Sequence, residues 1–310
     1  MRVRAAAAAL SAAALFTGAT GAAPPRRPNL EGIWNGATLT PLQRPDGFRD
    51  RARFTPAEAA EYLRTSPERI ARRLPTDTDR LTQADLDTAS IEIESFSLDG
   101  LRTSLIVDPP DGMLPALVPA ARARIASRPK RSFDDPETMS VGERCLVAMF
   151  GLGGSSASPP MLPSEVLPWF YQIVQTDDSV LIFTEWIHDA RVVRINGAHP
   201  PPSIRKWLGD SIGRYEGDTL VVDTTNFRSE THNVDSSPLM HVVERFTRMD
   251  AKTLRYRVTV EDPDTWAAAW TAEWPFHASG ARLFAAECHE GNYAIENFMR
   301  GARAEERRGR

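Results

Sequence analysis

What most constrains this chain is a rhythm of hairpins from residue 170 to residue 289. Runs 170–176 and 180–186 flank Asp177-Asp178-Ser179, and run 191–195 ends at Asn196-Gly197, a hairpin turn signal. Runs 213–215 and 219–225 flank Glu216-Gly217-Asp218, and runs 241–248 and 253–261 flank residues 249–252. Runs 270–276 and 282–289 flank Ser279-Gly280, and residues 292–303 read as a closing helix. Together with earlier β-rich runs at 91–94 and 103–107, this makes about ten short strands at hairpin spacing. The expectation is a mainly β protein, an antiparallel β-barrel of lipocalin or calycin type with short helices and long loops. A β-sandwich is the alternative.

The first 170 residues decorate that frame. Gly32-Ile33-Trp34 reads as the opening of a first barrel strand, with the Trp closing the barrel floor. Thr55, Pro56 and Glu58 start a capped helix, and Ser66-Pro67-Glu68 restarts a second, inside a helical and loop insertion at about 50–90. The run 103–107 stops at Asp108-Pro109-Pro110-Asp111-Gly112, a turn signal. A short Ala/Arg helix is expected at 119–128. Residues 129–168 are Pro- and Gly-rich, a loop whose length points to function or motion.

The N-terminus bears on compartment. Met1-Arg2-Val3-Arg4 precedes an Ala-rich apolar run with Leu10, Leu15 and Phe16, and then Pro24-Pro25. This is the layout of a secretory signal peptide over residues 1–23, ahead of a single domain over 24–310. A membrane anchor fits less well, because the run is short and mostly Ala. No later stretch is apolar enough to span a bilayer, so a periplasmic or secreted protein is expected. The formal net charge is −4, which becomes about −6 without Arg2 and Arg4. That excludes an electrostatic case for nucleic acid.

Two cysteines, Cys145 and Cys288, then sit in an oxidising compartment, where pairing is favoured. Closing so long a loop stabilises the fold by about 4–5 kcal/mol on the chain-entropy model. The alternatives are two buried thiols or a reactive Cys288 beside His289.

The chemistry expected of the chain centres on Glu287-Cys288-His289-Glu290-Gly291-Asn292-Tyr293 at the end of the last hairpin. Strand alternation puts Glu185 with Leu181 and Phe183, Glu244 with Val242 and Phe246, and Glu287 with Leu283 and His289. A few polar groups in an apolar barrel wall is how small-molecule sites look. The candidate catalytic residues are His289, Glu290, Tyr293, His188 and Glu185. The candidate ligand-binding residues are Arg102, Tyr171, Glu244, His241 and Asn292. His289 or His188 would act as general base, with Tyr293 or Arg102 polarising a substrate oxygen. The bland alternative is structural: buried Glu–Arg pairs hold strands together and strand-end His residues bond loop carbonyls.

Other chemistries find less support. There is no His-x-His, no His-Glu-x-x-His and no Cys pair at ligand spacing, so no metal is expected at His188, His241 and His289. No Gly-x-Gly-x-x-Gly follows a strand, so no nucleotide cofactor is expected. Ser155-Ser156 lacks the frame of a hydrolase elbow. Trp266, Trp270 and Trp274 share a hairpin face, either as packing or as an aromatic wall for a ligand.

Several stretches taken together carry a resemblance: Arg102 to Gly112, Gly209-Asp210-Ser211, Glu216 to Phe227, Glu244-Arg245-Phe246, Thr259 to Pro263 and Glu287 to Tyr293. Over roughly residues 100–305 the chain resembles a family of exported bacterial β-rich proteins found in soil and aquatic lineages. The resemblance implies an exported β-rich protein and supplies no catalytic residues. Two functions are therefore expected from the residues themselves. One is a cofactor-independent exported enzyme, a lyase, isomerase or hydrolase, working by acid–base chemistry on a small apolar or aromatic molecule. The other is a lipocalin-like carrier of an apolar ligand.

Overall fold

The computed structural model describes residues 27–65, 98–127, 135–139, 141–147, 157–163, 170–185, 188–229, 235–284, 288–289 and 293–309. Ten strands follow in order: β1 Gly32–Asn35, β2 Ile106–Asp108, β3 Phe170–Gln175, β4 Ser179–Thr184, β5 Ala190–Ile195, β6 Asp210–Glu216, β7 Thr219–Thr225, β8 His241–Arg248, β9 Thr253–Glu261 and β10 Trp270–Ala278. Among the described residues the α-helices are α1 Pro56–Arg64, α2 Pro119–Ala126 and α3 Ala294–Arg307. The strand order β1-β3-β4-β5-β6-β7-β8-β9-β10 closes on itself through a β1–β10 pairing. The result is a nine-stranded barrel, with β2 paired to β10 as an extra strand. A closed sheet has no free edge, which removes the aggregation hazard of unpaired strands.

All neighbours are antiparallel except β5 and β6, which run parallel. Here the hairpin expected at Asn196-Gly197 is corrected. Asn196 does turn, with φ 54°, but the chain then crosses over through 197–209 before β6. A parallel pair needs such a long connection, and the Pro-rich stretch 200–202 supplies it. Gly213 permits the close β5–β6 approach: a Cβ there would lie 2.7 Å from Val193 Cγ1.

Alternation puts the inward face of each strand in a continuous core. Trp34, Tyr171, Ile173, Val180, Ile182, Val193, Leu220, Val222, Val242, Phe246, Tyr256, Val258, Trp274 and Phe276 are all buried. Tyr171 and Phe276 stack at 5.2 Å, Tyr256 and Phe276 at 5.0 Å, and Tyr256 meets Trp274 edge-on at 4.8 Å. Trp266, Trp270 and Trp274 all pack in this core. Trp34 is buried as expected, its indole donating to the Leu30 carbonyl while the Arg248 guanidinium lies 4.9 Å from its ring.

The long loop at 129–168 carries a surprise in its described part. Ala157, Ser158, Met161 and Leu162 are buried, and Met161 and Leu162 belong to the barrel core. The expected capping box at Thr55 and Glu58 is present at the start of α1. That helix covers a small separate cluster of Ala37, Leu39, Phe54, Ala59 and Leu98. The second helix at 66–73 and the run 91–94 lie outside the described residues.

Three boundaries need correction. The run 103–107 is a strand only from Ile106, because Thr103 and Leu105 bond instead to Ala52 and Pro41 carbonyls. No strand forms at 281–284, so the strand expected at 282–289 does not begin there. The far edge of β10 is taken by β2 at Thr271 and Ala272 and, at the end where a hairpin would start, by β1 at His277 and Ala278. Glu185 lies just past the end of β4. The buried face of β4 is Val180, Ile182 and Thr184, not the row of Leu181 and Phe183.

Candidate functional site in the barrel interior

The polar centre of the barrel is an ion pair joining β5 to β8. Position alternates along β5, so Arg191 points inward with Val193; along β8, Glu244 points inward with Val242 and Phe246. Arg191 donates through Nη1 to Glu244 Oε2 at 2.5 Å and through Nη2 to Oε1 at 3.0 Å. Both side chains are buried, at 2% and 0% exposure, so neither charge is shared with water. Tyr256 of β9 donates its hydroxyl to Glu244 Oε1 at 2.8 Å and accepts from the backbone N–H of Met161 at 3.2 Å. Arg191 Nη2 also lies 3.6 Å from Met161 Sδ. The buried loop thus places Met161 against the polar cluster.

Glu244 and Tyr256 are saturated, but their neighbours are not. Tyr171 Oη, Arg191 Nε, Trp270 Nε1 and Trp274 Nε1 are buried without a hydrogen-bond partner among the described residues. Every one of these atoms can donate, and each unpaired buried donor costs about 1–3 kcal/mol. Burial pushes the Tyr171 hydroxyl well above the usual range, an effect that Arg191 opposes and Glu244 reinforces. The Tyr256 hydroxyl is raised for the same first reason. Both phenols stay protonated at neutral pH: Tyr256 donates to Glu244, and Tyr171 holds a proton with no acceptor among the described residues.

Of the residues expected to carry chemistry, the barrel interior brings together Tyr171 and Glu244. Arg191 was missed as a site residue. Its signal was available in the alternation of β5, which puts an arginine in an inward row facing Glu244 across the barrel. His241 lies on the outer wall. There a chain of alternating carboxylates and imidazoles runs Asp210, His199, Asp223, His241 and Glu261, with contacts of 2.9, 3.1, 3.0 and 3.5 Å. His199 comes from the β5–β6 crossover, where the sequence pattern offered no cue to it. Burial pushes the Asp210 carboxyl up, but hydrogen bonds from Arg194, Lys206 and His199 outweigh it and hold it well below the usual range. The bond to Asp223 raises His241, and Asp223 is lowered because His241 and His199 outweigh its burial. Among the described residues no three His, Cys, Asp or Glu side chains could hold a metal ion.

The remaining candidates sit elsewhere. Arg102 is half-buried and directs its guanidinium at Asp99 Oδ2 and at the Ser104 and Leu105 carbonyls. Burial lowers its pKa. Cys145 and Cys288 form a disulfide with Cα atoms 5.5 Å apart. His289 is exposed, and Tyr293, at the N-terminus of α3, is 66% exposed. His188 takes φ 53° beyond β4, its ring 5.5 Å from Phe183. Glu185 accepts the backbone N–H of Phe284 at 2.6 Å, which ties the end of β4 to the segment leading to Cys288. Glu290 and Asn292 lie outside the described residues. No protein-family model, curated protein or solved structure matches this chain.

Proposed function

We propose that this chain is an exported binding protein that holds a small, largely aromatic or apolar molecule inside its barrel. The observation that carries this reading is the set of buried donors without partners, Tyr171 Oη, Arg191 Nε and Trp274 Nε1, beside an aromatic wall. The Arg191–Glu244 pair is neutral as a unit, so the cluster offers donors but no net charge. The matching ligand is an uncharged molecule with a carbonyl, ether or amide oxygen. To enter, it would displace the buried stretch around Met161. Export is supported by the Cys145–Cys288 disulfide. Among the described residues, no helix is long and apolar enough to cross a membrane.

Native mass spectrometry of the purified protein tests the reading directly, because a carrier of this kind retains ligand. Where none is retained, a thermal-shift series comparing aromatic ketones with aromatic hydrocarbons of the same size takes its place. The ketones should stabilise the wild type, and Tyr171→Phe should remove most of that gain. Equal behaviour of the two series would sink the proposal.

The bond from Phe284 to Glu185 favours a second reading, an acid–base enzyme centred near His289, since it draws the expected catalytic stretch toward the end of β4. Here His289→Ala should stay folded and lose turnover. Turnover surviving both His289→Ala and His188→Ala would exclude it.

A further inference from the structure

The outer wall of the barrel carries a surface of a different character. Strand register puts Arg214, Val221, Arg245, Arg257 and Glu273 in one row across β6 to β10. The next row holds Glu216, Thr219, Thr247 and Arg255. Thr219, Arg245, Thr247, Arg255, Arg257 and Glu273 line a groove of about 430 Å³. Arg245 and Arg257 stand directly opposite each other, and like charges in that relation destabilise a sheet. Each is partly compensated: Arg245 by Glu216 at 2.6 Å, Arg257 by Glu273 at 3.2 Å. Glu216 is itself shared with Arg214 at 2.7 Å. Arg255 is exposed and has no carboxylate within ion-pair distance among the described residues. Four guanidinium groups therefore face two carboxylates, on a chain whose formal net charge is −4. The patch runs against the charge of the molecule that bears it.

We propose that this groove binds a phosphate-type oxyanion. A dianion matches the surplus of two positive charges and relieves the repulsion between Arg245 and Arg257. Guanidinium forks bind tetrahedral oxyanions through paired N–H groups, and three of them converge on the groove. The Thr219 and Thr247 hydroxyls, 2.9 Å apart and bonded to each other, add donors along the same wall. Arg255 makes the first contact, because no carboxylate competes for it. Arg245 and Arg257 then share their charge between the anion and their present partners. The surface is exposed, so binding weakens as ionic strength rises. The phosphate group can reach the site free in solution or on a lipid headgroup.

Two assays on the full-length protein at low ionic strength separate these sources. One is isothermal titration calorimetry with inorganic phosphate. The other is co-sedimentation with phosphatidylcholine vesicles prepared with and without phosphatidic acid. Saturable binding is expected in at least one assay, and Arg255→Gln should weaken it about tenfold or more without moving the unfolding midpoint of the unliganded protein. Arg255→Lys should recover only part of the affinity, since it keeps the charge and loses the fork. Binding to free phosphate marks a soluble ligand, and binding only to phosphatidic acid vesicles marks a membrane-borne one. The absence of saturable binding in both assays overturns the proposal, as does binding that Arg255→Gln leaves intact.

Discussion

Glu244 has both carboxylate oxygens engaged and no exposure to water, so its partners decide what a substitution there does. Removing Arg191 as Arg191→Met leaves a buried carboxylate uncompensated and should lower the unfolding free energy by about 3–5 kcal/mol in urea denaturation. Replacing both partners, Arg191→Met with Glu244→Leu, should recover most of that loss, since no charge is then stranded. Tyr171→Phe behaves oppositely. It deletes an unpartnered buried hydroxyl, so the empty protein should gain up to about 1 kcal/mol while ligand affinity falls. A drop in stability on that change would mean the hydroxyl already has a partner.

Among elements, the β5–β6 crossover and the outer faces of β7 and β8 are joined by the His199–Asp223–His241 contacts. His241 has a raised pKa in the folded state, so the stability it contributes is full below its unfolded pKa near 6.5 and is lost as pH rises through the folded value. Asp223 is depressed, so its contribution is present above the unfolded carboxylate pKa of about 3.9 and is lost as pH falls. The unfolding midpoints of wild type and His241→Gln should therefore differ most near about pH 5.5 and converge toward about pH 9. A constant gap across that range would rule out the linkage. At the parallel pair, Gly213→Ala forces a methyl against buried Val193 and should cost about 1–3 kcal/mol, measured by denaturant unfolding.

For the whole molecule, the barrel closes without a free edge, and the disulfide ties the loop at 141–147 to the segment after β10. Cys145 and Cys288 are 143 positions apart, so the bridge constrains a large part of the unfolded chain. Replacing both by Ala should lower stability by about 3–5 kcal/mol, and wild type under reducing conditions should show the same shift.

The sequence by itself determined the mainly β class, most of the strands and the inward row of β8. Period-two alternation and turn chemistry are local, and they place Glu244 between Val242 and Phe246 whatever lies across the barrel. The capping box at Thr55 and the burial of Trp34 were legible for the same reason. Only the tertiary structure decided which polar groups meet. Arg191 and Glu244 are 53 positions apart and meet only because β5 and β8 face each other across the barrel, while the path of the crossover carries His199 to Asp210 and Asp223. Closure also set β1 against His277 and Ala278, the end of β10 where a hairpin with 281–284 would have had to begin.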